Sequence, residues 1–181
     1  MSLKLTCQGA IAALLSMTLG VSAQPVQLKV FDKVGNEVGP FDHGLVYMRL
    51  DDSTLVAIQL AALAIETSRG WWSDNTRMVP VSQYDRPVYF TETDCGGASY
   101  ILPWSDVPGV SPSAIVNDKN TNNVFVYVGK VGRPVVRDLH SRLTFHKHCD
   151  NFYKRVEEKA VIPVVKVFDL TSQFPVPYSL R

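Results

Sequence analysis

Short runs of β-branched and aromatic residues, broken by Gly, Pro, Asn and Asp, recur along this chain at intervals of roughly 8 to 12 residues. That spacing leaves the backbone one general way to satisfy its N–H and C=O groups, which is to pair short strands antiparallel through tight turns. The expectation is an all-β, single-domain antiparallel sandwich or barrel-like sheet with at most one short helix. Val26 to Asp32 alternates apolar and polar residues until Phe31, and Val34-Gly35-Asn36-Glu37 supplies a turn before Val38, which predicts a first hairpin. Leu45 to Leu50 and Leu55 to Leu60 flank Asp51-Asp52-Ser53-Thr54 and predict a second.

Further strands are expected at Arg77 to Ser82, Val88 to Thr93, Ala98 to Leu102, Ala114 to Val116, Val124 to Val128, Val135 to Arg137, Arg142 to His148 and Val161 to Asp169. Leu55 to Glu66 is a continuous apolar run, and periodicity does not decide between strand and helix there. Val56, Ile58 and Leu60 share one face of a strand, so a strand is expected through about Leu60 and the remainder stays open. Lys154 to Lys159 is highly charged; either a short helix capped by Asp150 or Asn151, or a charged hairpin turn, fits it. Pro175 and Pro177 lack ladder donors, so Phe174 to Tyr178 reads as an extended tail laid over the domain. Lys29-Val30-Phe31-Asp32 is repeated as Lys166-Val167-Phe168-Asp169. Either the two strands merely share an alternation, or they lie side by side in the sheet.

The first residues carry a separate message. Lys4 gives a positive start, Gly9 to Val21 is apolar apart from Ser16 and Thr18, and Val21-Ser22-Ala23 precedes Gln24-Pro25. Residues 1–23 therefore read as a secretory signal peptide and 24–181 as the mature β-rich domain, periplasmic or extracellular. Removing 23 of the 181 residues leaves 158 and takes Lys4 away, so 17 basic side chains face 17 acidic ones. A formal charge of zero gives no electrostatic case for nucleic acid. The longest later apolar stretch, Leu55 to Ile65, includes Gln59 and is too short to span a bilayer, so no transmembrane segment is expected after cleavage. Cys7 leaves with the leader, leaving Cys95 and Cys149. In an oxidising compartment these two are expected to form a disulfide, and closing a loop of about 55 residues would constrain the unfolded chain by roughly 4 kcal/mol.

Candidate chemistry is sparse. The chain has no Gly-x-Ser-x-Gly elbow, His-Glu-x-x-His helix, phosphate loop or dinucleotide glycine pattern, and no cofactor is expected. His146 and His148, two apart on an expected strand, would face the same way and could grip a metal ion, with His43, His140, Asp138 or Asp150 completing the set. Surface histidines beside a disulfide are the alternative. Glu92 and Asp94 would share a strand face and could act as a carboxylate pair, or simply be solvated. Cys95-Gly96-Gly97 could offer backbone donors to an anion, although glycines there favour a turn. Trp71-Trp72, after Gly70 in a loop-like segment, places adjacent rings on opposite sides of an extended chain, so that one could anchor the core and the other contact a ligand, or both could simply pack in the core.

Leu28-Lys29-Val30-Phe31-Asp32, Val88 to Gly97 with Cys95, the later Cys149, and Val167-Phe168-Asp169-Leu170 with Phe174-Pro175 together resemble a group of small exported bacterial β-domains to which no activity is attached. Some of those domains stand beside phage-tail or collagen-like segments, which implies a binding or structural role; this chain carries no such segment. The expected function is a non-enzymatic binding or surface-associated module with a carbohydrate or protein ligand. The rivals are a hydrolase of cell-wall or carbohydrate substrates using a carboxylate pair, and a periplasmic metal-binding protein.

Overall fold

The computed structural model describes residues 27–67, 70–81, 86–103, 109–118, 120–152 and 157–181, with backbone alone over 64–67 and 70–76 and at residue 157. The expected leader and Lys154 to Val156 lie outside the described residues. In chain order the elements are β1 (Lys29–Phe31), β2 (Glu37–Asp42), β3 (Leu45–Asp51), β4 (Thr54–Thr67), β5 (Gly70–Pro80), β6 (Val88–Phe90), β7 (Ser99–Ile101), β8 (Ser113–Asp118), β9 (Asn123–Gly129), β10 (Val135–Leu139), β11 (Ser141–Leu143), β12 (Cys149–Asn151), β13 (Glu157–Asp169), α1 (Leu170–Gln173) and β14 (Ser179–Leu180). Every strand pairing is antiparallel. The chain is thus nearly all strand, as its residue pattern predicts.

The first sheet runs β14-β1-β2-β3-β4-β5. Its turns follow from local chemistry. The Asp32 carboxylate accepts the backbone N–H groups of Val34 (3.0 Å) and Asn36 (2.8 Å) as well as the Asn36 amide (3.0 Å), which bends the chain from β1 into β2. His43 and Gly44, with φ of 48° and 84°, make the two-residue connection from β2 to β3, the left-handed pair that suits hairpin twist. Alternation then sets the buried face: Val46, Met48 and Leu50 on β3, and Val56, Ile58 and Leu60 on β4, turn inward. Met78 and Tyr178 exchange both backbone hydrogen bonds, each 2.8 Å, and so bring the β5 edge back to the residue preceding β14. The sheet closes on itself through this bridge.

The strand expected through about Leu60 does form, and the remainder that the run left open is strand as well, to Thr67. Up to Gln59 it pairs with β3; from Leu60 it pairs with β5. A continuous apolar run hides this change of partner, because neither half shows an exposed alternation. After a register shift between Ala62 and Leu63, Leu63 to Thr67 lies opposite Asp74 to Gly70 as a two-stranded ribbon.

The second sheet runs β12-β11-β6-β7-β13-β9-β8, with β10 along the first half of β13. It curls too, since the Asn117 N–H on edge strand β8 donates to the Phe145 carbonyl just beyond β11, at 2.5 Å. One face of β8 and β9 contributes Ile115, Val124, Val126 and Val128 to a core shared with the first sheet, including Val30, Val46, Met48, Val56, Ile58, Leu170 and Tyr178. The opposite face of β8 adds Ala114 and Val116 to a second cluster with Val88, Phe90, Ile101, Leu143 and Ile162. Gly129 sits where a Cβ would press within 2.9 Å of both Ile101 and Ile162, so the curl needs a residue without one.

Three open readings are narrowed here. Among the described residues the short helix is α1 at Leu170–Gln173, where Asp169 caps Ser172; Glu157 to Lys159 begin the long strand β13, while Asp150 and Asn151 lie in β12. The repeated tetrapeptides are not neighbours, because β1 lies in the first sheet and β13 in the second. What they share is a local job for the final aspartate, with Asp32 holding a turn and Asp169 starting a helix. The tail is also more than an overlay: β14 pairs with β1, Val30 opposite Leu180, so the C-terminal residues form the seam of the first sheet.

Candidate functional site

A cleft of about 720 Å³ opens on the first sheet, lined by Gln27, Leu28, Pro40, Phe41, Asp42, His43 and Tyr47. Three short segments build it. Phe41 donates its N–H to the Leu28 carbonyl, which fixes the chain leading into β1 against β2, and Phe41 pairs with Val46 at the base of the β2–β3 hairpin. Gly39 is required just upstream, since a Cβ there would collide with the Tyr47 carbonyl oxygen. Tyr47 is half-buried and stands opposite Ala57, a small neighbour that leaves its ring uncovered from β4.

At the rim, His43 Nδ1 lies 2.7 Å from Asp42 Oδ1, with the side chains 91 % and 63 % exposed. This contact orients the imidazole and leaves Nε2 for another partner. Among the described residues, Nε2 of His43, the Gln27 amide and the Tyr47 hydroxyl make no hydrogen bond to protein. The cleft therefore combines aromatic and apolar walls with hydrogen-bonding groups on a rigid sheet, the composition of a small-molecule site. Of these residues, sequence reasoning raised only His43, and only as a distant supplement to a metal site. The readable signal was His-Gly in a hairpin position where Asn-Gly is the default.

The predicted site residues fare differently. Trp71 and Trp72 lie on strand β5, not in a loop, at positions opposite Glu66 and Ile65 in the two-stranded ribbon. Adjacent aromatic residues are good strand formers, which explains the correction. His146 and His148 do not share a strand face: β11 stops at Leu143, and Thr144 to His148 form a turn in which Lys147 has φ of 57°. His148 instead contacts Asp150 (3.1 Å), and the described residues contain no cluster of three metal-binding side chains. Glu92 and Asp94 likewise fall beyond the end of β6 at Phe90, with Asp94 at φ 55°, so the strand alternation that would have paired them does not apply.

Around the disulfide the polar groups serve the fold. Cys95 and Cys149 are bonded, 54 residues apart. The Asp94 N–H donates to Asn151 Oδ1 and the Asn151 amide donates to Asp94 Oδ1, both at 2.6 Å. The fully buried Ser141 hydroxyl accepts from the Cys95 N–H (3.0 Å) and donates to the Glu92 carbonyl (2.6 Å). Gly96 N–H goes to the Thr93 carbonyl, so the Cys95 and Gly96 donors are both engaged within the fold.

Electrostatics elsewhere are structural as well. Asp51 is held well below the usual carboxylate range, chiefly by Lys166 Nζ at 2.6 Å, a contact that joins β3 of the first sheet to β13 of the second. Lys147 likewise lowers Asp118, at 2.5 Å. Burial raises the Tyr178 phenol, and the nearby Asp32 charge adds to the effect. Comparison of the chain with protein-family models, curated proteins and solved structures finds no match.

Proposed function

We propose that the protein is an exported, non-enzymatic binding module that recognises its ligand on the wall of the first sheet. The cleft between Leu28, Phe41 and Tyr47 carries this reading: its apolar walls offer burial, and Gln27, Asp42 and His43 offer orientation. A closed sheet supplies a rigid support, so little ordering is lost on binding. Export is supported by the leader pattern of residues 1–23, and a disulfide suits the oxidising compartments outside the cytosol.

Two measurements test it. Material recovered after export should begin at Gln24 by intact mass and carry no free thiol; two reactive thiols would defeat the compartment. A ¹⁵N-labelled sample titrated with a solubilised cell-envelope glycan and peptide fraction should show saturable amide shifts around Asp42 and Tyr47, with the ligand recovered unchanged. Release of cleavage products would make the protein a hydrolase instead, and unmoved cleft amides would remove the site.

A further inference from the structure

We infer that the cleft bounded by Tyr47, Phe41 and the Asp42–His43 pair is a saccharide subsite, taking a pyranose ring in contact with Tyr47; this rests on the binding-module reading and names its ligand class. Sugar recognition needs two unlike surfaces at once. The C–H face of a pyranose is apolar and lies well on an aromatic ring, whereas its edge presents hydroxyl pairs that require acceptors and donors at fixed spacing.

Both surfaces are present. Tyr47 is half-buried on β3, faces the small Ala57 across the strand pair, and is joined by Leu28, 45 % exposed, and Pro40. These form the apolar platform. Asp42 holds one oxygen on His43 Nδ1 and has a second oxygen for a hydroxyl donor, while His43 Nε2 and the Gln27 amide extend the polar rim. Adjacent sugar hydroxyls could be shared between Asp42 and His43 Nε2 in the way that planar polar side chains engage paired groups. A volume of about 720 Å³ lies within the ordinary range for small-ligand sites.

The turn itself adds an argument. His43 occupies a left-handed position, φ 48°, followed by Gly44 at φ 84°. Asn is the usual residue at such a position in a two-residue hairpin loop, so His43 is not the choice that turn geometry alone would favour. Its imidazole lies at the cleft rim instead, held there by Asp42. A peptide strand is the other occupant such a groove could take. It is less well matched, because the backbone donors and acceptors of β2 and β3 beside the cleft are already engaged with each other at Phe41–Val46 and Asp42–Leu45.

The experiment is a ¹⁵N–¹H titration of the disulfide-bonded chain with cellobiose, maltose and N,N′-diacetylchitobiose, and with a proline-rich decapeptide as the competing ligand class. At least one disaccharide should produce saturable shifts at Leu28, Asp42, Gly44 and Tyr47 with millimolar or tighter affinity. Tyr47→Ala and Asp42→Asn should each weaken it at least tenfold. His43→Asn is the control for folding: it suits the left-handed turn, so the melting midpoint should hold while affinity falls several-fold. Unchanged affinity in Tyr47→Ala, or shifts confined to the Trp71–Trp72 ribbon, would overturn the assignment. If the peptide moves the cleft amides and no sugar does, the saccharide subsite fails while the binding module survives. Silence of the cleft toward the sugars, the peptide and the envelope fraction alike would sink both.

Discussion

The two curled sheets are closed by different means. The first is sealed at its seam by backbone: Met78 and Tyr178 exchange hydrogen bonds, Lys29 and Arg181 exchange another pair at 3.0 Å each, and Lys33 donates to the Pro175 carbonyl. The second meets edge to edge through one backbone bond, Asn117 N–H to the Phe145 carbonyl, beside the Lys147–Asp118 pair, and its β11–β12 edge is held by side chains and one covalent link, namely Cys95–Cys149, Ser141 between Cys95 and Glu92, and the reciprocal Asp94–Asn151 pair. A long sheet whose two edges meet can close by pairing alone. A sheet ending in the three-residue strands β11 and β12 has too little ladder for that, and side-chain and loop contacts add to its one backbone bond.

Tyr178 is fully buried, sits in the shared core and donates its hydroxyl to the Phe174 carbonyl at 3.2 Å, so the first sheet's closure depends on it most. Tyr178→Ala should cost about 3–5 kcal/mol by chemical denaturation, as for other large core aromatics. Hydrogen exchange should rise first in β1, β5 and β14. If β6 and β11 open equally, the two sheets are one cooperative unit and do not close independently.

Removing the disulfide is the complementary test, with an expected loss of about 2–5 kcal/mol for the Cys95→Ser/Cys149→Ser double variant. Exchange should then rise around Thr91 to Ala98 and in β12, while the Met78–Tyr178 bridge stays protected. A smaller change sharpens the same contrast. Ser141→Ala leaves the Cys95 N–H and the Glu92 carbonyl without their partner, and should cost about 1–3 kcal/mol with the disulfide intact. A loss under a few tenths would mean that the disulfide alone holds the turn.

The same contrast explains how much was legible. Backbone-closed hairpins leave a local signature, so the β1–β2 and β3–β4 hairpins were readable from Val34 to Glu37 and from Asp51 to Thr54, and the cysteine pair from its number. Side-chain closure depends on residues about 50 positions apart, such as Ser141 and Cys95, and has no local signature. The Thr144–His148 turn hid in the same way, because a lysine in a left-handed position is not a turn signal, and it carried His146 and His148 off the expected strand. Asp169 capping a four-residue helix gave no periodicity to read. The cleft is assembled from Gln27 and Leu28, the end of β2 and the middle of β3, so only its His-Gly turn was visible in one stretch of chain.

The smallest expected effect lies where the two sheets are tied to each other. Asp51 and Asp118 are both held below the ordinary carboxylate range, by Lys166 across the sheets and by Lys147 within the second. Each carboxylate is therefore more acidic folded than unfolded, so its contribution is complete above the unfolded value of about 3.9 and is lost as pH falls through the lower folded value. Stability plotted against pH should decline below about pH 4, and Asp51→Asn or Asp118→Asn should each flatten part of that decline. Salt separates the two. The Asp51–Lys166 side chains are 32 % and 45 % exposed, whereas Asp118 is only 6 % exposed beside Lys147. Raising NaCl to 1 M should erase the difference between wild type and Asp51→Asn at pH 7, yet leave most of that for Asp118→Asn, because a shielded pair is screened less. Equal salt sensitivity in the two variants would show that the tie within the second sheet is no better protected than the tie between the sheets.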